Sequence, residues 1–299
     1  MEAAATVLRR GGLSAFPTET VYGLGAVASN AQAVEAVFMA KGRPADNPLI
    51  VHIADVESLD AITDLSDDAR ALLVAFAPGP LTLVVPLAHS LPDAVTAGRQ
   101  TVAVRIPGHE TARALIRAVG SPLVAPSANR SGRPSPTTWQ AVRDDLDGRI
   151  DAILMGAPTS VGIESTVVDV TERVPVVLRP GAVTLARLRE VVPETREATG
   201  GDDIARSPGT RHRHYAPTAR VRLIDVPEPA PDAAYIGLDA PPPGYGLVKT
   251  CASVEVYARA VFHLFRQADA RGFTRIDVQR VHDDGLGRAL MDRLLRAAE

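Results

Sequence analysis

The sequence is poor in cysteine, lysine and aromatic residues, and each shortage narrows what the chain can be. Its single cysteine, Cys251, excludes an internal disulfide, so stability must come from packing, and a reducing cytoplasm is the expected setting. No apolar run approaches the length of a membrane-spanning helix, and the opening MEAAATVLRRGG lacks the long apolar core and cleavage site of a signal peptide. Aromatic residues make up 4% of the 299 positions, which leaves few stacking platforms for nucleic acid. The net charge of −3 gives no global attraction to nucleic acid or membrane, so any polyanion must be met by a local patch. No GxxxxGK[ST] occurs, which excludes a P-loop, and no GxGxxG follows the early strands. Gly285-Leu286-Gly287 precedes a helix, where two glycines ordinarily just turn the chain. Cys251 has no partner at metal-ligand spacing and His212-x-His214 stands alone, so no zinc site is expected.

The lysine shortage is informative in another way. Lys41 and Lys249 are the only lysines among 32 basic residues. Lys41 is therefore expected where a compact ammonium, rather than a planar guanidinium, is wanted. Lys249 lies in no motif.

What is present is an ordinary globular balance, 46% apolar and 22% charged, in alternating helical and extended segments. AATVLRR reads as a short helix stopped by Gly11-Gly12, and LSAFPT as a strand ended by Pro17. Asn30 caps a helix with apolar positions Ala33, Val34, Val37 and Phe38, and Ser66 opens another that Pro78-Gly79-Pro80 ends. PLIVHI, LTLVVPL, TVAVRI, LVAPS, AILM, STVVDV and VPVVLRP read as strands, with a helix through Ala112, Leu115, Ile116 and Val119, and LARLREVV as a last helix. Polarity rises through 194–219. The expected division is a first domain over 1–193, a linker over 194–219 and a small domain over 220–299. The last closes in a βαβα pattern, consistent with a small three-layer α/β, Rossmann-like unit. At roughly 80 residues it is near the lower size limit for an independent core and should lean on the first domain or on another subunit.

The polar residues of the first domain recur in one kind of place. FPTETVYGLGA (16–26) ends a strand with hydroxyls and a carboxylate, and Gly23 and Gly25 read as a tight turn. AKGRPADNPLIVHI (40–53) carries Lys41 and Arg43 at a helix end, Asn47 between two prolines, and His52 inside a strand. Arg105 sits in the apolar strand TVAVRI, where a guanidinium needs an internal partner or a ligand anion. APSANRSGRPSPT (125–137), GIESTVVDV with Ser165 and Thr166, and VVLRPGA with Arg179 repeat the pattern. Polar or cationic groups at the ends of apolar strands, followed by rigid turns, converge on a single polyanion-binding cleft. RSPGTRHRHYAPTAR (206–220) is too rigid and cationic for a plain tether.

These segments, in this order and with PGPLTLVV, ESTVVDVT and SPGTRHRHYAP, resemble the threonylcarbamoyl-AMP synthases in their long, two-domain form, over nearly all of 13–220. Over 221–299 the likeness is weak and the reading rests on length and pattern. The resemblance implies a YrdC-like twisted α/β sheet around a large basic concave cavity. It implies that L-threonine, bicarbonate and ATP, with Mg²⁺ on the phosphates and no metal held by the protein, give threonylcarbamoyl-AMP and pyrophosphate. The product would feed threonylcarbamoyl-transfer proteins acting on tRNA, with RNA contact weak or transient and no membrane involved. Carried over position by position, Thr20, His52, Arg105, Ala125 and Ser165 should hold threonine. Arg43, Asn47, Thr101, Ser127, Ser135, Arg179 and Tyr215 should hold ATP, and Lys41, Arg43 and Asn129 should stabilise charge without a covalent nucleophile. Residues 206–220 should form a lid, with Arg211 and Arg213 over the phosphates and Tyr215 on the nucleotide. Thr210-Arg211-His212 departs from the Met-Lys-Tyr-like run expected there. Two other readings compete: an RNA-binding module on the same concave surface, and a carbamoyltransferase with another acceptor, against which the linker motif speaks.

Overall fold

Short apolar segments punctuated by proline and glycine cannot bury themselves alone, and here they assemble edge to edge. The computed structural model describes residues 1–59, 62–199 and 214–299. Ten strands form one mixed sheet: β1 (Ser14–Phe16), β2 (Gly23–Val27), β3 (Ile50–His52), β4 (Leu81–Pro86), β5 (Thr101–Arg105), β6 (Leu123–Val124), β7 (Ala152–Ile153), β8 (Thr166–Asp169), β9 (Val176–Arg179) and β10 (Arg196–Glu197). Their order is β10-β9-β8-β4-β5-β3-β6-β2-β1-β7. The last strand thus comes from within the stretch read as linker.

Two-residue periodicity divides the side chains of the central strands between two faces. Val51, Leu83, Val85, Val102, Val104, Val168 and Val177 join the main core with the helix Ala31–Lys41. Ile50, Val84, Ala103, Val167, Val176 and Leu178 form a smaller apolar patch on the other face. The same alternation carries that second face on to His52 and Arg105, which lie in register on the parallel neighbours β3 and β5. Helix ends follow local chemistry: the side chains of Asn30, Ser66 and Thr184 accept backbone N–H groups at three N-termini.

Two sequence expectations need correction. Gly23 and Gly25 do not make a turn; they lie inside β2. A Cβ at Gly25 would stand 2.8 Å from the Phe16 ring, and one at Gly23 3.1 Å from the Ala125 Cβ, so glycine there permits close approach of neighbouring chain. The helix Trp139–Leu146, capped by the Thr138 hydroxyl, was not expected, because the prolines before it read as loop.

Residues 220–299 build a second sheet from β11 (Arg220–Ile224), β12 (Ala233–Gly237), β13 (Leu247–Thr250) and β14 (Arg275–Gln279), all parallel, in the order β11-β14-β12-β13. Val221, Ala234, Ile236, Ile276 and Val278 pack under the helices Val254–Ala270 and Gly285–Ala298. The opposite face is polar. Arg222 donates to both carboxylate oxygens of Asp277, which also accepts from the Tyr245 hydroxyl in the β12–β13 crossover.

The small unit leans on the large one. Its apolar cluster includes Val21, Ile163 and Tyr215. Arg266 donates to both oxygens of buried Asp145, at 3.1 and 2.6 Å. Gly162 has φ +84°, and a Cβ there would lie 2.4 Å from the Cα of Arg259. Gly162→Ala should therefore cost about 3 kcal/mol, combining left-handed strain with a backbone collision. Gly120→Ala, also at positive φ (+76°) but with nothing within 4 Å, should cost about 1 kcal/mol. Urea unfolding of the two variants measures the contrast; equal losses would mean that the two units do not meet this closely at Gly162.

Candidate active site

The cavity on the second face of the large sheet is where the strand ends converge. It is lined by Thr18, Thr20, Arg43, Ile50, His52, Arg105, Ala125, Ser127, Glu164, Ser165, Arg179, His214 and Tyr215, with Val21, Gly23, Pro48, Leu49 and Pro126 between them, and encloses ≈ 600 Å³ including its open mouth. All five residues expected to hold threonine are on this wall, as are Arg43, Ser127, Arg179 and Tyr215 of the ATP set.

The other expected residues are placed elsewhere. Lys41 is buried behind the wall, its ammonium donating to the carbonyls of Ser127 (2.5 Å) and Asn129 (2.6 Å). It pins the 127–129 turn against the end of its helix, a task suited to a compact cation with several donors. The Asn129 amide donates to the carbonyls of Arg130 and Arg133, closing the same turn. The carbonyl of Asn47 accepts from Arg43 Nε at 3.1 Å, and Pro48 O accepts from the same guanidinium at 2.8 Å. The loop fixed by Pro44 and Pro48 thus aims Arg43 into the cavity. Ser135 stands one layer back, its hydroxyl donating to Glu164 at 2.5 Å. Thr101 starts β5 in a separate small crevice with Pro48.

Arg105 is paired within the protein, one of the alternatives its sequence position allowed. It donates to Glu19 at 2.7 Å, to the Thr20 hydroxyl at 3.0 Å and to Gly79 O at 3.3 Å. Burial works against the Glu19 charge, but Arg105 and the backbone N–H of Gly108 hold its carboxyl below the usual range. Arg179, at the end of β9, donates to the carbonyl and hydroxyl of Ser165, and that hydroxyl meets Thr82 at 2.8 Å. Burial and the nearby Arg179 charge push Arg43 down to about 10, and burial with Arg43 lowers Lys41 well below an ordinary lysine. The site therefore holds concentrated positive charge in poor solvent, which favours an incoming anion.

Of the expected lid, residues 206–213 lie outside the described residues. His214 and Tyr215 line the cavity mouth. Tyr215 has φ +66°, is 3% exposed, and stacks on Phe262 of the small unit with centroids 5.2 Å apart. Burial and Glu164 raise its phenol to about 12, so it faces the cavity as a neutral hydrogen-bonding group.

Glu19 and Glu164 were missed as site residues. Both stand in motifs already singled out, FPTETVYGLGA and GIESTVVDV, and the need of buried arginines for counter-charges was the available signal. No described helix is long and apolar enough to cross a membrane.

Known proteins resemble this chain along its whole length. Residues 6–181 match the Sua5/YciO/YrdC family, described as "Telomere recombination", and residues 183–299 match the C-terminal domain of threonylcarbamoyl-AMP synthase. The threonylcarbamoyl-AMP synthase of Pyrococcus abyssi is 43% identical over 99% of this chain and 93% of its own length. That of Bacillus subtilis is 41% identical over 99% of this chain and 92% of its own. The crystal structure of P. abyssi Sua5 complexed with L-threonine superposes with a TM-score of 0.93, at 41% identity, over 99% of this chain and 93% of that one. Escherichia coli YciO, 24% identical with a TM-score of 0.54 over 60% of this chain and 88% of its own, shares the fold.

Burial, reinforced by Arg105 at His52 and by Arg43 at His214, lowers both imidazoles to about 3. An unfolded histidine titrates near 6.5. With the folded value depressed, the unfolded chain binds more protons in between, so the stability present above pH 6.5 is lost as pH falls towards 3. About 2 kcal/mol per histidine should be gone at pH 5 relative to pH 7. Urea midpoints at the two pH values test this: His52→Gln should lose less than the wild type, and an identical loss would place the acid sensitivity elsewhere.

Proposed function

The chain belongs to the threonylcarbamoyl-AMP synthase family, and from that premise we propose how its residues divide the substrates. It is an enzyme of the nucleotidyl-transferring kind: L-threonine, bicarbonate and ATP give threonylcarbamoyl-AMP and pyrophosphate, the first step of tRNA threonylcarbamoyladenosine modification. The observation that carries the assignment of roles is the cavity itself, where His52 and Arg105 lie side by side next to Thr20 while Arg43, Ser127, Arg179 and Tyr215 line the same space.

Threonine is assigned to Thr20, His52, Arg105, Ala125 and Ser165. The Arg105 guanidinium, already oriented by Glu19 and Thr20, would receive the substrate carboxylate. The neutral His52 ring and Ala125 offer an uncharged surface for the side chain. ATP is assigned to Arg43, Ser127, Arg179 and Tyr215 directly. Asn47, Lys41 and Asn129 hold that wall in place from behind, and Ser135 acts through Glu164. Thr101 keeps its expected place in the ATP set only through Pro48, which it shares with the loop that aims Arg43.

The amine of threonine takes up bicarbonate to give a carbamate with loss of water, and the new carboxylate attacks the α-phosphate as pyrophosphate leaves. The protein contributes position and preorganised positive charge. For Mg²⁺ the fit is with the phosphates rather than with a protein cage. Glu164 is the acidic side chain among the described cavity-lining residues, and it is already bonded to Ser135 and Arg293. When bound, Mg²⁺ supplies charge neutralisation on the triphosphate. We further assign the product to transfer proteins that act on tRNA, because a mixed carbamic–phosphoric anhydride hydrolyses readily and must be consumed by an acceptor. His214 and Tyr215, which line the cavity, suit the same need to exclude water.

Pyrophosphate release should require threonine and bicarbonate together, and serine should be the poorer substrate, by roughly 1 kcal/mol for the missing methyl group. Arg105→Lys should raise the KM for threonine at least about tenfold, because an ammonium cannot replace a bidentate guanidinium, while the KM for ATP changes less than about threefold. Release that is equally fast without any amino acid would overturn the reaction assignment. A KM change confined to ATP would overturn the division of the site.

A further inference from the structure

We propose that Arg293, on the C-terminal helix of the small domain, is a positioning residue for the nucleotide site. It lies outside the cavity and 129 residues from the wall residue it grips. The side chain is completely buried. Its Nε donates to Glu164 Oε2 at 2.8 Å, and a second nitrogen donates to Asp292 at 2.6 Å. Its guanidinium carbon stands 5.5 Å from the centre of the Tyr215 ring. Glu164 and Tyr215 both line the cavity, and the other Glu164 oxygen accepts from Ser135. One side chain of the small domain thus holds two pieces of the catalytic wall that come from different segments of the chain.

The charge of Arg293 matters as much as its contacts. Glu164 faces a cavity built to receive a polyanion. Paired with Arg293, its charge is compensated from behind and its carboxylate orients Ser135. Without that partner a buried carboxylate would confront the triphosphate and compete with it for Arg179. Asp292 holds the other side of the guanidinium and itself accepts from Arg296 at 3.1 Å, so Arg293 is locked in its rotamer. A second helix of the small domain supports the same target, since Phe262 stacks on Tyr215. The small domain is therefore a working part of the ATP site.

This inference rests on the assignment of ATP to the cavity made above. The test is direct binding of a non-hydrolysable ATP analogue and of L-threonine to the full chain, by calorimetry. Arg293→Met should weaken the analogue at least about tenfold and threonine less than about threefold. Adding Glu164→Gln to that variant should restore analogue affinity to within about threefold of wild type, because removing both charges leaves no unpaired carboxylate. Arg266→Met, which breaks another ion pair between the domains, should lower the melting temperature while leaving analogue affinity within about threefold. If Arg293→Met does not fold, Arg293→Gln, which also removes the charge, with and without Glu164→Gln carries the same comparison. The proposal is overturned if the double variant binds the analogue no better than the single one, or if Arg266→Met weakens the analogue as much as Arg293→Met. Loss of threonine-dependent pyrophosphate release in the wild type would instead count against the reaction assignment, and the binding series would still judge Arg293.

Discussion

Like charges held close together out of water are the constraint around which this molecule is organised. Arg43, Arg105 and Arg179 reach one cavity, with Lys41 behind the wall and Arg293 beyond it. Cations in poor solvent repel one another and resist desolvation. The structure answers with two buried carboxylates, Glu19 against Arg105 and Glu164 against Arg293, and with carbonyls at strand ends and turns that accept from Lys41, Arg43 and Arg179. What remains is a positive field in a partly enclosed cavity, where solvent screens it less than on an open surface, and this is the condition under which fixed charges stabilise a transferring phosphoryl group.

The same constraint explains the rigid turns. A guanidinium on a loose loop would swing to solvent. Pro44 and Pro48 hold the loop of Arg43, the Lys41 ammonium and the Asn129 amide tie down the 127–133 turn, and the ladder of β3 and β5 fixes His52 beside Arg105. The pinning groups are themselves polar and buried, so the loss of one leaves an unmatched donor or acceptor.

The small domain is joined to this site by buried polar contacts as well as by apolar area. Arg266 grips Asp145, Gly162 lets two backbones meet, and Arg293 reaches the cavity wall. Its sheet keeps helices on the face that meets the large unit and a polar network on the other. An α/β unit of this size gains a larger shared core by that arrangement, and the catalytic wall gains a support it could not draw from its own strands.

Much of the site was legible in the sequence because its residues are tied to local punctuation. Strand, then hydroxyl or cation, then proline or glycine is a pattern that backbone sterics impose, and it marked Ser127, Ser165 and Arg179. Arg43 stood out at a helix end, His52 and Arg105 inside strands, and Thr20 through the family resemblance, and all seven line one cavity. The composition fixed the class of molecule for the same reason, since a single cysteine and short apolar runs leave packing alone to hold it. Register and long-range pairing were not legible. That Gly23 and Gly25 sit flat in a strand depends on Phe16 and Ala125 across the sheet. That Lys41 stands behind the wall while Glu164 stands in it depends on where the chain crosses itself. Arg293 carries no local mark at all: a charged residue on an amphipathic helix reads as solvated until tertiary packing removes the water and sets a carboxylate 2.8 Å away. Local sterics write the turns into the sequence, but only the closed fold decides which charges meet.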